Sequence, residues 1–114
     1  MNGRVAGVVT YLIEGDRCGV VSLDAVTEGA GVGTALLEAA CDAARRAGCR
    51  HIELVTTNDN VHALGFYQRR GFVLAELRPG AVDHARATLK PEIPQVGRHG
   101  IPIRDELLLT RSLS

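Results

Sequence analysis

Three glycines, Gly29, Gly31 and Gly33, lie within Thr27-Glu-Gly-Ala-Gly-Val-Gly-Thr-Ala35, after an apolar, β-branched run and before a run of strong helix formers. Without a Cβ, such a turn bends sharply and lets backbone approach a ligand closely. The unpaired N–H groups of the following helix's first turn face into the loop, with the positive end of the helix dipole behind them. That arrangement binds phosphate. The same glycines also suit a plain tight connection, and on their own they leave both readings open. There is no Gly-Lys-Ser/Thr, which argues against a P-loop, and Thr34 stands where a dinucleotide fingerprint needs its third glycine.

The loop needs elements to hold it. Arg4–Ile13 and Gly19–Val26 read as two strands of a hairpin turning at Gly15-Asp16. Val32–Ala47 reads as a helix, with Val32, Leu36, Ala39, Ala40, Ala43 and Ala47 on one apolar face, an Asp42–Arg46 pair on the polar side, and Gly48 as its stop. His51–Thr57 alternates as a strand should, with Ile52, Leu54 and Thr56 on one face. Asn58 or Asp59 is expected to cap a second helix running to about Arg70 and ended by Gly71. A strand over Phe72–Leu77, a short helix over Ala81–Leu89, a proline- and glycine-broken loop over Pro91–Pro102 and a strand over Glu106–Leu113 complete the order. Strands alternating with helices predict a mixed α/β sheet.

Bulk properties narrow the function. The chain has 114 residues and reads as a single domain over 1–114; 46% hydrophobic and 23% charged residues mark a globular protein. A formal net charge of zero without a basic stripe argues against nucleic acid and anionic membranes as partners. The apolar runs are short for a membrane span, and the first residues show no signal-peptide pattern. Cys18, Cys41 and Cys49 suit free thiols in a reducing cytoplasm, with Cys41 expected in the core. The histidines at 51, 62, 84 and 99 lack ligand spacing, so no metal is expected.

A second motif follows the first: Asn60-Val-His-Ala-Leu-Gly-Phe-Tyr-Gln-Arg-Arg-Gly-Phe72. Together with the glycine loop one strand upstream, it resembles the GNAT acetyltransferase superfamily, which pairs a Gly-x-Gly loop with an Asn-x-x-Ala-x-x-Phe-Tyr-x-x-x-Gly-Phe helix. Gly31, Gly33, Asn60, Ala63, Phe66, Tyr67, Gly71 and Phe72 fall at the matching offsets, and the likeness extends from about Gly3 to Leu113. Lys90–Pro94 and Gly100–Glu106 resemble a bacterial subgroup of that family. The resemblance implies a mixed, mostly antiparallel sheet with two main helices, lacking the family's usual N-terminal β-α-α-β elements. Other departures are Glu28 where the family usually has Arg or Gln, a shorter link after Val26, and Gly19 where many members carry a basic-acting Glu.

The resemblance also implies a chemistry: transfer of acetyl from acetyl-CoA to a small-molecule or N-terminal amine by direct attack. The diphosphate would rest on Gly31, Val32, Gly33 and Thr34, and the pantetheine arm would pair with Leu23, Ala25 and Val26, one of whose N–H groups would face the thioester oxygen. Asn60 and Ala63 would meet the arm. Tyr67, counted also among the cofactor contacts, is a phenol protonated at neutral pH and would give its proton to the leaving thiolate; without the motif it reads first as a half-buried aromatic on the helix's inner face. Asp24 is the candidate general base and Glu53 the second option. Apart from the resemblance, the charged residues around the late loop, from Asp83 to Glu106, read as a solvated surface or, because long loops in compact domains are often functional, as an acceptor lip. A homodimer is expected to cover the sheet edge near Arg4–Ile13. Against this stand a catalytically impaired CoA-binding or assembly module and a plain α/β interaction domain.

Overall fold

The alternation of apolar residues sets the strands, and Gly48 and Gly71, in the left-handed region, end the two main helices. A computed structural model describes residues 7–25 and 31–113. Its elements are β1 (Gly7–Glu14), β2 (Arg17–Ala25), α1 (Val32–Arg46), β3 (His51–Thr57), α2 (Val61–Arg69), β4 (Val73–Arg78), α3 (Ala81–Thr88) and β5 (Glu106–Ser112). The strands form a five-stranded sheet in the order β1-β2-β3-β5-β4. The expected order of elements is present, with α3 a third helix beside the two main ones. Arg4–Ala6 of the expected first strand, and Val26 of the second, lie outside the described residues.

The described chain divides into two compact units, residues 1–54 with 111–114, and residues 55–110. In the first, β1 and β2 pair antiparallel from Gly7↔Ala25 to Glu14↔Arg17, and the register slips between Thr10↔Ser22 and Tyr11↔Val20, leaving Val21 as a bulge. β2 pairs parallel with β3 over Arg17↔His51, Cys18↔Ile52 and Gly19↔Glu53. Among the described residues that ladder stops at Gly19 and Glu53, while β2 continues to Ala25 with β1 on its other side.

α1 packs on β1 and β2 through Leu37, Ala40, Cys41 and Ala44, all buried. This is a correction to the expected face: Ala39 and Ala47 are exposed, and the stripe is rotated toward Leu37 and Cys41. The reason is size. Leu37 and Cys41 are larger than the alanines beside them and displace more water when buried, so they take the centre of the contact. Cys18, Ile52 and Cys49 are buried in the same unit. The seat is close: a Cβ on Gly7 would come within 2.7 Å of the Asp24 carbonyl and 2.8 Å of Leu36 Cδ1. The polar face pairs Asp42 with Arg45 at 2.9 Å, one residue earlier than the expected Arg46. Gly48 ends α1 at φ 85°.

In the second unit β4 pairs antiparallel with β5 from Val73↔Thr110 to Arg78↔Glu106. Phe72, Val82 and Leu109 are its buried apolar residues, and Asp59 is its buried carboxylate. The long connection between α3 and β5 contains an isolated bridge, Val96↔Pro102, and a tight turn at Arg98–Gly100.

The packing of α1 yields a direct expectation. Leu37→Ala should lower unfolding free energy by about 2–5 kcal/mol, read from urea denaturation, because it opens a cavity at the centre of the helix–sheet contact.

Candidate active site

Gly31 precedes α1 with φ 77° and ψ 3°, a left-handed conformation that costs any residue with a Cβ about 1–2 kcal/mol. No side chain caps the helix, and its first turn carries no acidic residue. The start of α1 thus lies at the positive end of the helix dipole, directly after a residue in the left-handed region. Val26, Glu28 and Gly29 lie outside the described residues.

The faces of the hairpin sort the upstream residues. Val8↔Asp24, Thr10↔Ser22, Leu12↔Gly19 and Glu14↔Arg17 are cross-strand neighbours, so these residues share one face. The opposite face carries Gly7, against α1, and buried Cys18. Asp24 is exposed on the face away from α1, whereas Leu23, half-buried, faces it. Glu53 lies beside Gly19 in the parallel register and ion-pairs with Arg17 at 3.3 Å. Gly19, Glu53, Arg17, Glu14, Leu12, Val20 and Val21 line a shallow depression of about 270 Å³. Ala25 ends β2, opposite Gly7 in the ladder.

The second unit carries the other candidates. α2 begins at Asn60, whose Oδ1 accepts from the Ala63 N–H at 3.4 Å. The cap is therefore Asn60, not Asn58 or Asp59. Those two side chains are engaged elsewhere: Asn58 Nδ2 donates to the Pro102 carbonyl at 2.9 Å, and Asn58 Oδ1 accepts from the Arg104 and Asp105 N–H groups at 3.0 Å each. Asp59 accepts from the Thr57 hydroxyl and the Arg98 N–H. The sequence signal was present, since Asn and Asp favour local backbone bonding, but their backbone partners lie 39 to 47 residues away.

Tyr67 sits half-buried between two rings, edge-on to Phe66 at 5.4 Å and to Phe72 at 5.7 Å. Phe72 is buried, and its N–H donates to the Tyr67 carbonyl at 3.1 Å. Gly71, at φ 92°, makes that reversal possible. Arg70 stacks on Phe66 with its guanidinium carbon 3.7 Å from the ring centre. The aromatic motif is thus a helix terminus that fixes the Tyr67 ring from both sides.

Other chemistry is less favoured. Burial pushes the Cys18 thiol pKa up, with Cys49 and Cys41 adding to the effect, and burial also raises Cys41 against the pull of Arg111. These are protonated core thiols, a poor start for a nucleophile. Among the described residues no group of three or more His, Cys, Asp and Glu could hold a metal, and no helix is long and apolar enough to cross a membrane.

The pattern of the acetyltransferase (GNAT) family matches residues 1–72, more than half of the chain. The chain belongs to that family of acyltransferases. It is 51% identical over 112 residues to the uncharacterized protein YxbD of Bacillus subtilis (strain 168), across 98% of this chain and 70% of that one. It is 49% identical over 110 residues to the uncharacterized protein YdhI of the same organism, across 96% and 68%. Among solved structures, a Bacillus subtilis acetyltransferase in complex with CoA matches with a TM-score of 0.85 at 24% identity, over 100% of this chain and 73% of that one. A GNAT acetyltransferase of Elizabethkingia anophelis with acetyl-CoA bound matches with a TM-score of 0.84 at 18% identity, over 98% and 71%. The resemblance and the mixed α/β fold read from the sequence both hold.

Asp59 carries a measurable consequence. Desolvation raises its pKa, but the hydrogen bonds from Thr57 and the Arg98 N–H outweigh it and hold the carboxyl below the usual range. A depressed folded pKa stabilises above the unfolded value, near ~3.9, and that stability is lost as pH falls through the folded pKa. Urea midpoints should therefore fall as pH drops below about 4.5 in the wild type, and more shallowly in Asp59→Asn.

Proposed function

We propose that this chain transfers acetyl from acetyl-CoA to a primary amine, on a small molecule or a peptide N-terminus, by direct attack. The observation that carries the reading is the left-handed Gly31 turn before an uncapped α1, in a chain of the GNAT family. The CoA and acetyl-CoA bound in two structural relatives support the choice of donor.

Under this reading the diphosphate rests on the amides of Gly31, Val32, Gly33 and Thr34. The pantetheine arm runs along Leu23, Ala25 and Val26, and the halt of the β2–β3 ladder at Gly19 and Glu53 supports it, because strand edge beyond that point accepts an added extended segment. Asn60 and Ala63 meet the same arm. A neutral amine attacks the thioester carbon, and charge moves to its oxygen, which a β2 N–H stabilises by about 3 kcal/mol. The C–S bond breaks, the thiolate takes the Tyr67 hydroxyl proton, and the nitrogen loses its extra proton to a carboxylate or water. Asp24 is the proposed base. Glu53 is the alternative, supported by its position beside Gly19 in the depression. The acceptor's identity lies with the residues that surround this chemistry.

A second reading, a CoA-binding module without turnover, draws on Gly19, which leaves β2 without a carboxylate at that point. Free-thiol release with acetyl-CoA and an amine panel separates the two. Wild type should turn over, and Tyr67→Phe should lose about 10²-fold in kcat with the acetyl-CoA KM unchanged. Thermal stabilisation by CoA without turnover would select the second reading, and no stabilisation at all would remove both.

We also read the protein as a bacterial cytoplasmic homodimer. Three buried free thiols suit a reducing compartment, and β1 lies at the end of the sheet with Val8, Tyr11, Leu12 and Ile13 exposed. Light scattering should give twice the chain mass; a monomer at micromolar concentration contradicts it.

A further inference from the structure

The two ends of the sheet are built differently. β4, at one end, is guarded: its register breaks at Ala75, Glu76 and Arg78 put charge on it, and Pro79 follows directly. These are devices by which an edge strand avoids pairing with another chain. β1, at the other end, has none of them. Gly7–Ile13 contains no charge and no proline, and the extra residue of the hairpin, Val21, belongs to β2 and leaves β1 regular. Among the described residues β1 pairs with β2 alone. Both faces of this edge are apolar and open. Val8 and Leu12, on the face away from α1, are 48% and 57% exposed. Tyr11 and Ile13 lie on the face that carries α1 and are still 40% and 38% exposed.

The order of residues along β1 decides what fits there. Directly opposed residues of an antiparallel pair share a face and touch. Read outward from Thr10, the strand carries apolar residues in both directions: Val9 and Tyr11, then Val8 and Leu12. A second copy turned about a two-fold axis at Thr10 therefore sets Val9 against Tyr11, Val8 against Leu12 and Thr10 against Thr10. Aromatic–β-branched and Thr–Thr pairs are favourable across strands. Other registers fit less well. An axis at Tyr11 sets Glu14 against Val8 and Thr10 against Leu12. An axis at Leu12 sets Glu14 against Thr10 and shortens the ladder to Thr10–Glu14. An axis at Val9 sets Val8 against Thr10 and leaves Leu12 and Ile13 without partners.

We propose that two copies of this chain pair β1 to β1, antiparallel about a two-fold axis at Thr10, so that the sheet continues from one chain into the next. This rests on the homodimer reading for the existence of a partner and on β1 itself for the register. Leu12 lines the depression on the open face. The residue opposed to it is Val8 of the partner subunit, which continues the apolar wall beyond Leu12. The pairing is isologous and closed, so it leaves no β1 edge free for a third chain.

Cysteine cross-linking reads the register. Directly opposed Cα atoms lie about 4.5–5.5 Å apart, within the roughly 4.4–6.8 Å that a disulfide spans. Under copper–phenanthroline oxidation Thr10→Cys should form a covalent dimer at least about tenfold faster than Leu12→Cys, which faces Val8 rather than its own copy. An equimolar mixture of Val8→Cys and Leu12→Cys should yield a cross-linked mixed dimer. Wild type should stay uncoupled, because Cys18, Cys41 and Cys49 are buried. Leu12→Asp, at an exposed position, should raise the dimer dissociation constant at least about tenfold in sedimentation while its far-ultraviolet spectrum is unchanged. A dimeric wild type in which Leu12→Cys couples as fast as Thr10→Cys, or in which neither couples, overturns the register and leaves the homodimer reading standing. A monomeric wild type removes both.

Discussion

The close seat of α1 on the β1–β2 hairpin is the constraint on which the first unit depends. Gly7 leaves no room for a Cβ between the Asp24 carbonyl and Leu36, and Ala40 and Ala44 keep the buried stripe low. α1 is preceded by Gly31 at φ 77°, a conformation that glycine adopts without a Cβ clash.

The second unit is organised differently. Nothing in α2 is fully buried, and apolar burial there is limited to a few residues such as Phe72, Val82 and Leu109. Order comes instead from satisfied polar groups: Asn58, Asp59, Arg86 and Asp105 each bond backbone at a distance in sequence. Buried charges are costly unless paired, and here their partners are N–H and carbonyl groups that would otherwise need water. The energetic burden is balanced locally, which lets a loop rich in proline and glycine hold one shape.

Much of the fold was legible because its signals are local. Alternation in His51–Thr57, glycine stops at Gly48 and Gly71, and the breakers of Pro91–Pro102 each act within a few residues, and the elements fall where those signals lie. The paired glycine and Asn-to-Phe motifs carried the family. What was not legible depends on contacts across the chain. The buried face of α1 was set by the bulk of Leu37 and Cys41, not by an even alanine stripe. Asn58 and Asp59 have the chemistry of helix caps, but Asn60 took that place because the other two bind residues near Pro102 and Arg98. Arg86, a surface charge by composition, is nearly buried because three carbonyls converge on it.

The extra residue in β2 changes the parity of the strand. In a regular strand Gly19 and Asp24, an odd number of positions apart, would project from opposite sides. With Val21 inserted, both stand with Leu12 and Val8 on one side. A carboxylate near the end of β2 and the bare backbone near its start thereby come to share a surface with Glu53. Removing that single insertion would exchange every side chain on one half of the strand between helix and open face, so a backbone irregularity, not a side chain, decides which residues of β2 any bound molecule can meet.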